Sequence, residues 1–238
     1  MKQPSHNLSF DLTAGCLCLD FANTVDKRLS SNPEDKLSGY EELVTFGIQT
    51  GVFSHPESRK LLREGRQDKS EATRLFKQAI DLREMVFRIL AAVAVGREVS
   101  EADAGTLNDA LKKLNAGSLV VPGPGQAAWR WVEKSTGVDR LLRRIVRSAV
   151  ELLTSDDIER VKRCAAEKCC WLFMDRSRSC NRRWCEMRTC GSQHKSKAYY
   201  KRKTVARKHG KKSATRSTST SVNRSSPPKR EPDWVNFH

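Results

Sequence analysis

RCAAEKCCWLFMDRSRSCNRRWCEMRTCGSQHKSKAYYKRK, residues 163–203, is the stretch on which the reading of the chain turns. It carries two C-x4-C pairs, Cys164 with Cys169 and Cys185 with Cys190. Zinc takes four soft ligands in a tetrahedron, and two short-spaced pairs joined by a connector supply them without a large hydrophobic core. Four sulfurs also leave no open position for water, so the spacing predicts one structural ion and argues against hydrolytic chemistry at the metal.

Around the cysteines, RVKRC and CWLFMD read as two short strands meeting at a metal knuckle. A first pair in that strand turn and a second at a helix start give a treble-clef-like arrangement. Trp171, Phe173 and Trp184 are expected to form a small core beside the ion, and stacking on exposed bases is their alternative use. Asp175 is expected to hold Arg182 or Arg183 in a bidentate pair. Cys170 is the alternative to Cys169 as ligand, and His194 could stand in for one cysteine. The matched spacing of the two pairs favours Cys170 as the residue after the knuckle and Cys180 as a loop thiol. Beyond Glu186 the sequence keeps helix formers, and a basic helix is expected to about Lys208. Along it Lys197, Lys201, Arg207 and Lys208 recur at helical spacing, with Arg202 and Lys203 thickening the stripe and Lys195 just before it.

Charge follows the same division. The 238 residues carry a formal +16, yet 22 of the 44 Lys and Arg and only 5 of the 28 Asp and Glu fall from Arg160 onward, so the excess belongs to the last third. Such a field attracts phosphates or an anionic membrane surface. Membrane is the weaker partner, because no apolar stripe of Leu, Phe or Trp opposes the basic face. The opening MKQPSHNLSFDLTAG has no apolar signal core, and the expected location is cytoplasmic. In a reducing compartment, the eight cysteines are metal ligands or buried thiols before they are disulfides.

Upstream the pattern is helical. LCLDFANTV (17–25) reads as a buried helix, although Leu17, Leu19 and Phe21 also alternate as in a strand. A second short helix is expected over 39–52. Leu75, Ala79, Leu82, Val86, Ile89 and Val93 then recur at spacings of four and three over 71–95, a long amphipathic helix closed by Gly96. Ser100 and Asp103 form a capping box before Leu107, Leu111 and Leu114, with Gly117 as the stop. SLVVPGPGQAAWRWV reads as a hairpin. Val138, Leu141, Leu142, Ile145, Ala149, Leu152 and Leu153 make one more stripe. From Gly210 the composition is Ser, Thr, Lys, Arg and Pro, which cannot offset ordering entropy.

The distal segment closely resembles the CGNR zinc finger at Cys164, Cys169, Trp171, Leu172, Phe173, Asp175, Ser177, Arg182, Arg183, Trp184, Cys185, Met187, Cys190 and Gly191. LCLDFANTV, LREMV, the Leu114–Asn115 pair and Trp129 to Val132 resemble the ABATE domain that precedes this finger in bacterial stress-induced transcription regulators. The resemblance covers roughly residues 8 to 208. It departs at Cys170, where the family has Gly, and at Ser192 and Gln193, where the name-giving Asn and Arg stand. If that Arg contacts DNA in relatives, Lys195, Lys197 or their neighbours must replace it here.

The expected fold is mainly α: a multihelical domain with a small hairpin over 8–155, a treble-clef-like finger with a basic helix over 158–208, and a disordered basic tail over 209–238. The expected function is zinc-dependent DNA binding in transcription regulation, with Cys164, Cys169, Cys185 and Cys190 on the metal. The expected contacts are Arg182, Arg183, Lys195, Lys197, Lys201, Arg202, Lys203, Arg207 and Lys208. Asp20, Asn23 and Thr24, polar groups in an apolar run, either line a pocket for a small-molecule effector or bond backbone at a helix junction. No Ser-His-Asp set and no glycine-rich phosphate loop is recognisable, so no enzyme is expected. The alternatives are an RNA-binding or ribosome-associated protein, a protein-interaction adaptor, and a zinc enzyme with an open ligand position.

Overall fold

Helix α4 (Lys69–Val93) is the element around which the rest is arranged in the computed structural model, which describes residues 9–115, 118–123, 126–131, 136–197, 199–200 and 202–204. The Asp68 side chain accepts the Glu71 N–H at 2.9 Å, filling one of the free donors of the first turn. Past its end, Gly96 adopts φ +66°, the left-handed geometry that stops helices cheaply. The buried stripe is Ala72, Ala79, Met85, Val86, Ile89 and Leu90.

Against it lies α6 (Gly137–Leu153), which buries Val138, Leu141, Leu142, Ile145, Val146, Ala149 and Leu152. The short α1 (Leu17–Ala22) packs on both α4 and α6. Its Cys18, Leu19, Phe21 and Ala22 are wholly buried, as a helix apolar on nearly every side must be. The alternating strand reading of this run therefore gives way to a helix. Helix α2 (Tyr40–Gln49) adds Leu43, Val44 and Phe46 to the same core. Helix α5 (Glu101–Asn115) starts where the capping box placed it, with the Asp103 N–H donating to Ser100 Oγ at 3.2 Å.

Helix α3 (His55–Gln67) has no counterpart in the sequence reading. It buries only Ser58 and Leu61, too little for a periodic signal. Its start was nevertheless written in Ser54-His55-Pro56-Glu57: Ser54 accepts the Glu57 N–H at 3.4 Å, and Pro56 occupies the first turn.

Among the described residues, the three strand pairs are all antiparallel two-stranded ribbons. Strands β1 (Val25–Asp26) and β2 (Glu34–Asp35) form the first. β3 (Ser118–Gly123) and β4 (Gln126–Trp131) form the expected hairpin, in register from Ser118 opposite Trp131 to Gly123 opposite Gln126. β5 (Val161–Arg163) and β6 (Leu172–Met174) form the third. The stop at Gly117, the 124–125 turn, Lys201, Arg207, Lys208 and the tail over 209–238 lie outside the described residues.

Behind β1 and β2, Arg83 of α4 is buried and donates to both Asp35 carboxylate oxygens at 2.7 Å, to Thr24 Oγ1 at 3.2 Å and to Glu84 at 2.9 Å. Glu84 in turn accepts from Arg28 at 2.7 Å, and Arg28 lies 4.0 Å over the Phe87 ring. A guanidinium this deep is tolerated because its donors are matched by charged and polar acceptors.

Strand β6 alternates, so its faces meet different surroundings. Leu172 and Met174 join the helical core with Val161, whereas Phe173 points the other way, into a second cluster with Cys164, Trp184 and Cys185. Finger and helical domain therefore share one compact unit, which runs to His194.

Candidate metal centre

The β5–β6 ribbon delivers the first cysteine pair. Cys164 follows β5, its N–H donating to the Trp171 carbonyl at 2.8 Å, and the Cys169 N–H donates to the Ala166 carbonyl at 3.1 Å to close the knuckle. Cys170 then takes φ +59° while its side chain is buried. The family glycine would adopt that geometry without cost, and the cysteine carries about 1 kcal/mol of backbone strain there.

The second pair enters on a π-helical turn, Met187–Gly191, after Cys185. A Cβ on Gly191 would lie 2.4 Å from Met187 Sδ and 3.2 Å from Trp184 Cδ1, so a side chain there would displace the exposed Met187 tip and press on the mini-core tryptophan. Beyond it the backbone is helical at 192–197, 199–200 and 202–204.

The four sulfurs of Cys164, Cys169, Cys185 and Cys190 all lie within 4.8 Å of one another. Cys169 to Cys185 and Cys185 to Cys190 are each 3.7 Å. A tetrahedron with zinc–sulfur bonds of about 2.3 Å has sulfur–sulfur edges of about 3.8 Å, so the donor set fits that ion. Without a cation the sulfurs cannot all ionise. Hydrogen bonds from the Cys169 and then the Cys185 thiol pull Cys164 far below the usual thiol range. The same contact with Cys164 pushes Cys169 and Cys185 up, and burial raises Cys190. A divalent ion would relieve this conflict by favouring every thiolate.

Trp184 and Phe173 are buried beside the cluster, with Trp171 packed against it. Neither Cys170 nor His194 belongs to the four: His194 stacks on Trp184 with ring centroids 4.7 Å apart. Asp175 is fully buried, and the expected bidentate pair with an arginine is replaced by a different set of bonds. Its Oδ2 accepts Lys162 Nζ at 2.7 Å and the Arg182 backbone N–H at 2.8 Å, and its Oδ1 accepts the Ser177 N–H at 3.0 Å and hydroxyl at 2.6 Å. Burial alone would raise this carboxyl; these donors, Lys162 first, hold it well below the carboxylate range instead.

Arg182 is spent on the finger itself. Its guanidinium donates to the Trp184 carbonyl at 2.9 Å and to the Cys185 carbonyl, and lies 4.7 Å over the Phe173 ring. Arg183 lies 5.5 Å over Trp184, and its carbonyl accepts the Ala165 N–H at 2.9 Å. Lys195, Lys197, Arg202 and Lys203 are exposed, as are Ser192 and Gln193.

Asp20, Asn23 and Thr24 are buried, and each is engaged within the protein. Asp20 Oδ1 accepts the Ala14 N–H at 2.9 Å, and the Thr24 hydroxyl donates to the Phe21 carbonyl at 2.8 Å. Asn23 donates to the Leu172 carbonyl at 2.7 Å and accepts the Leu172 N–H at 2.9 Å. This docking of α1 on β6 was not legible in the sequence. It is extended by the Met174 N–H to the Ala14 carbonyl at 2.8 Å and by Arg176 to the Gly15 carbonyl at 2.9 Å. An open cleft of about 580 Å³ lies elsewhere, lined by Tyr40, Glu64, Asp68, Glu71 and Asp139 among others. Among the described residues no helix is long and apolar enough to cross a membrane.

Comparison with known families agrees with this geometry. The family described as "ABATE: Putative stress-induced transcription regulator" matches residues 15–156, and the CGNR zinc finger matches residues 160–203. No curated protein matches the chain. Donor set, edge lengths and family agree on one zinc ion held by Cys164, Cys169, Cys185 and Cys190. With the first of these families spanning more than half of the residues and the second accounting for the metal centre, the chain belongs to the ABATE family and carries a C-terminal CGNR zinc finger.

Proposed function

We propose that the protein is a non-catalytic, cytoplasmic DNA-binding transcription regulator whose contacts come from the segment that follows the zinc knuckle. The observation that carries this reading is the set of exposed cations Lys195, Lys197, Arg202 and Lys203 in a region with almost no acids. Phosphate contacts of this kind supply affinity and register, with sequence read by other groups. The family's Asn and Arg are absent, and Arg182 is internally bonded, so these four cations replace them as the first contacts. In the zinc-loaded protein, duplex affinity should fall with salt at a log–log slope of roughly −5 if about six phosphates are neutralised. Charge reversal at Lys197 and Arg202 should weaken every duplex alike. Unchanged affinity after that reversal would overturn the reading in favour of a protein-interaction adaptor.

A second reading has its own observation. Tyr199 and Tyr200 are 55% and 66% exposed, their rings 5.7 Å apart, and exposed aromatics between cations suit unstacked bases. Competition among duplex DNA, single-stranded DNA and structured RNA at one ionic strength separates the two. Preference for RNA would replace the DNA reading.

A further inference from the structure

Outside the finger, the molecule holds one other pair of sulfurs in contact among the described residues. Cys16 Sγ and Cys18 Sγ lie 3.5 Å apart. Cys16 is half-buried and Cys18 wholly buried, so a small solute can reach the first but not the second. We propose that Cys16 and Cys18 form a dithiol site oxidised by small hydroperoxides, and that closing the bond loosens the grip of the helical domain on the finger.

The chemistry balances with the hydroperoxide as sole oxidant. The Cys16 thiolate attacks the terminal peroxide oxygen; a sulfur–oxygen bond forms, the oxygen–oxygen bond breaks, and the departing alkoxide or hydroxide takes a proton from water. Cys16 is then a sulfenic acid. The Cys18 thiol attacks that sulfur, a disulfide forms, and the hydroxyl leaves with the Cys18 proton as water. Two electrons pass from the two sulfurs to the peroxide.

Local groups distinguish the two thiols. The contact with Cys18 lowers Cys16 to about 7, against the opposing effects of burial and of the Asp20 charge, with help from the Leu19 N–H and Ser148. The same contact, together with burial, raises Cys18. The accessible sulfur is thus the nucleophile and the buried one the resolving thiol. The remaining thiols are differently placed. Four hold the metal, Cys170 is buried, and exposed Cys180 receives a hydrogen bond from Arg160 at 3.2 Å.

The consequence follows from position. Cys16 directly follows Ala14 and Gly15, whose carbonyls hold Met174 and Arg176 of the finger. Gly15 stands at φ +115°, where a Cβ would be 2.9 Å from Met174 Cβ. Closing the 3.5 Å gap to a bond of about 2.05 Å turns both side chains and ties residues 16 and 18 into a short ring with a fixed dihedral, a constraint placed on the first turn of α1 next to the two residues that hold the finger.

The test uses full-length, zinc-loaded protein treated with equimolar hydrogen peroxide, then differential alkylation with peptide mapping, zinc release measured in parallel. The expected result is loss of alkylation at Cys16 and Cys18 together, in a peptide lighter by two hydrogens, with zinc retained. The rate should be about tenfold above that of an ordinary exposed thiol at pH 7. Hydrogen exchange should rise over 12–25 and 161–176 in the oxidised protein. Cys16→Ser should abolish both effects, and Cys18→Ala should leave a dimedone-trappable sulfenic acid on Cys16. Oxidation first at Cys180, zinc release before any Cys16 reaction, or unchanged exchange over 161–176 after disulfide formation would each overturn the proposal.

Discussion

Asn23 pairs with Leu172 as a neighbouring strand would, its amide donating to the Leu172 carbonyl at 2.7 Å and accepting the Leu172 N–H at 2.9 Å. Both partners are buried. Replacing Asn23 by Ala strands a buried N–H and a buried carbonyl, each costing roughly 1–3 kcal/mol. Asn23→Ala should therefore lose about 2–4 kcal/mol, read as a lower urea midpoint at unchanged slope.

Zinc removal should reach beyond the finger. Leu172 and Met174 belong to the helical core while Phe173 packs beside the cysteines, so a chelator that frees the sulfurs also loosens that core. Calorimetry of the chelated protein, and of Cys164→Ser, should show the main unfolding transition at lower temperature. A main transition that stays in place would contradict a shared core.

Asp20 makes stability depend on pH. Burial, with a smaller contribution from the Asp11 charge and against the Ala14 N–H, raises its carboxyl to about 6. An unfolded Asp titrates near 3.9, so the folded state binds the proton more tightly and stability falls as pH rises from about 4 to about 6. Asp20→Asn should remove that slope, gaining about 2 kcal/mol at pH 8 and almost nothing at pH 4, by denaturation at each pH. Asp175 works in the opposite sense: its depressed carboxyl contributes above about pH 4 and loses that contribution as pH drops through its folded value.

The buried Arg83 offers a fourth test. Arg83→Met keeps most of the stem but removes its bonds to Asp35, Thr24 and Glu84, leaving Asp35 the Leu37 N–H and Glu84 the Arg28 pair. Because Asp35 is 41% exposed and water can recover part of the loss, the expected cost is about 2–3 kcal/mol. A double-mutant cycle with Asp35→Asn should show coupling between the two sites.

Elements with a deep apolar stripe are legible from the amino-acid pattern alone. The four-and-three recurrence of α4 and α6 reads as helix, and the matched cysteine spacing favours Cys164, Cys169, Cys185 and Cys190 over Cys170 and His194, the set that the structure brings together. What escaped was carried by polar groups whose partners are distant in sequence. Asn23 meets Leu172 and Arg83 meets Asp35, and nothing near either residue announces the other. The internal bonds of Arg182 were hidden for a related reason: in a basic segment a guanidinium looks solvated, yet this one braces the carbonyls of Trp184 and Cys185. Helix α3 was hidden because it buries so little that only its cap speaks for it. At Cys170 the chain departs from the family glycine yet keeps the left-handed backbone, a conformation foreseeable from the family pattern alone.

The alternation of β6 bears on how such proteins could be dissected or recombined. A fragment excised at residue 160 would carry Leu172 and Met174 into water on one side of its ribbon, and the truncated remainder would keep a raw groove where they had been. Grafting this finger onto a foreign partner would demand a complementary seat for both side chains, so the two halves should travel through gene shuffling as a single cassette.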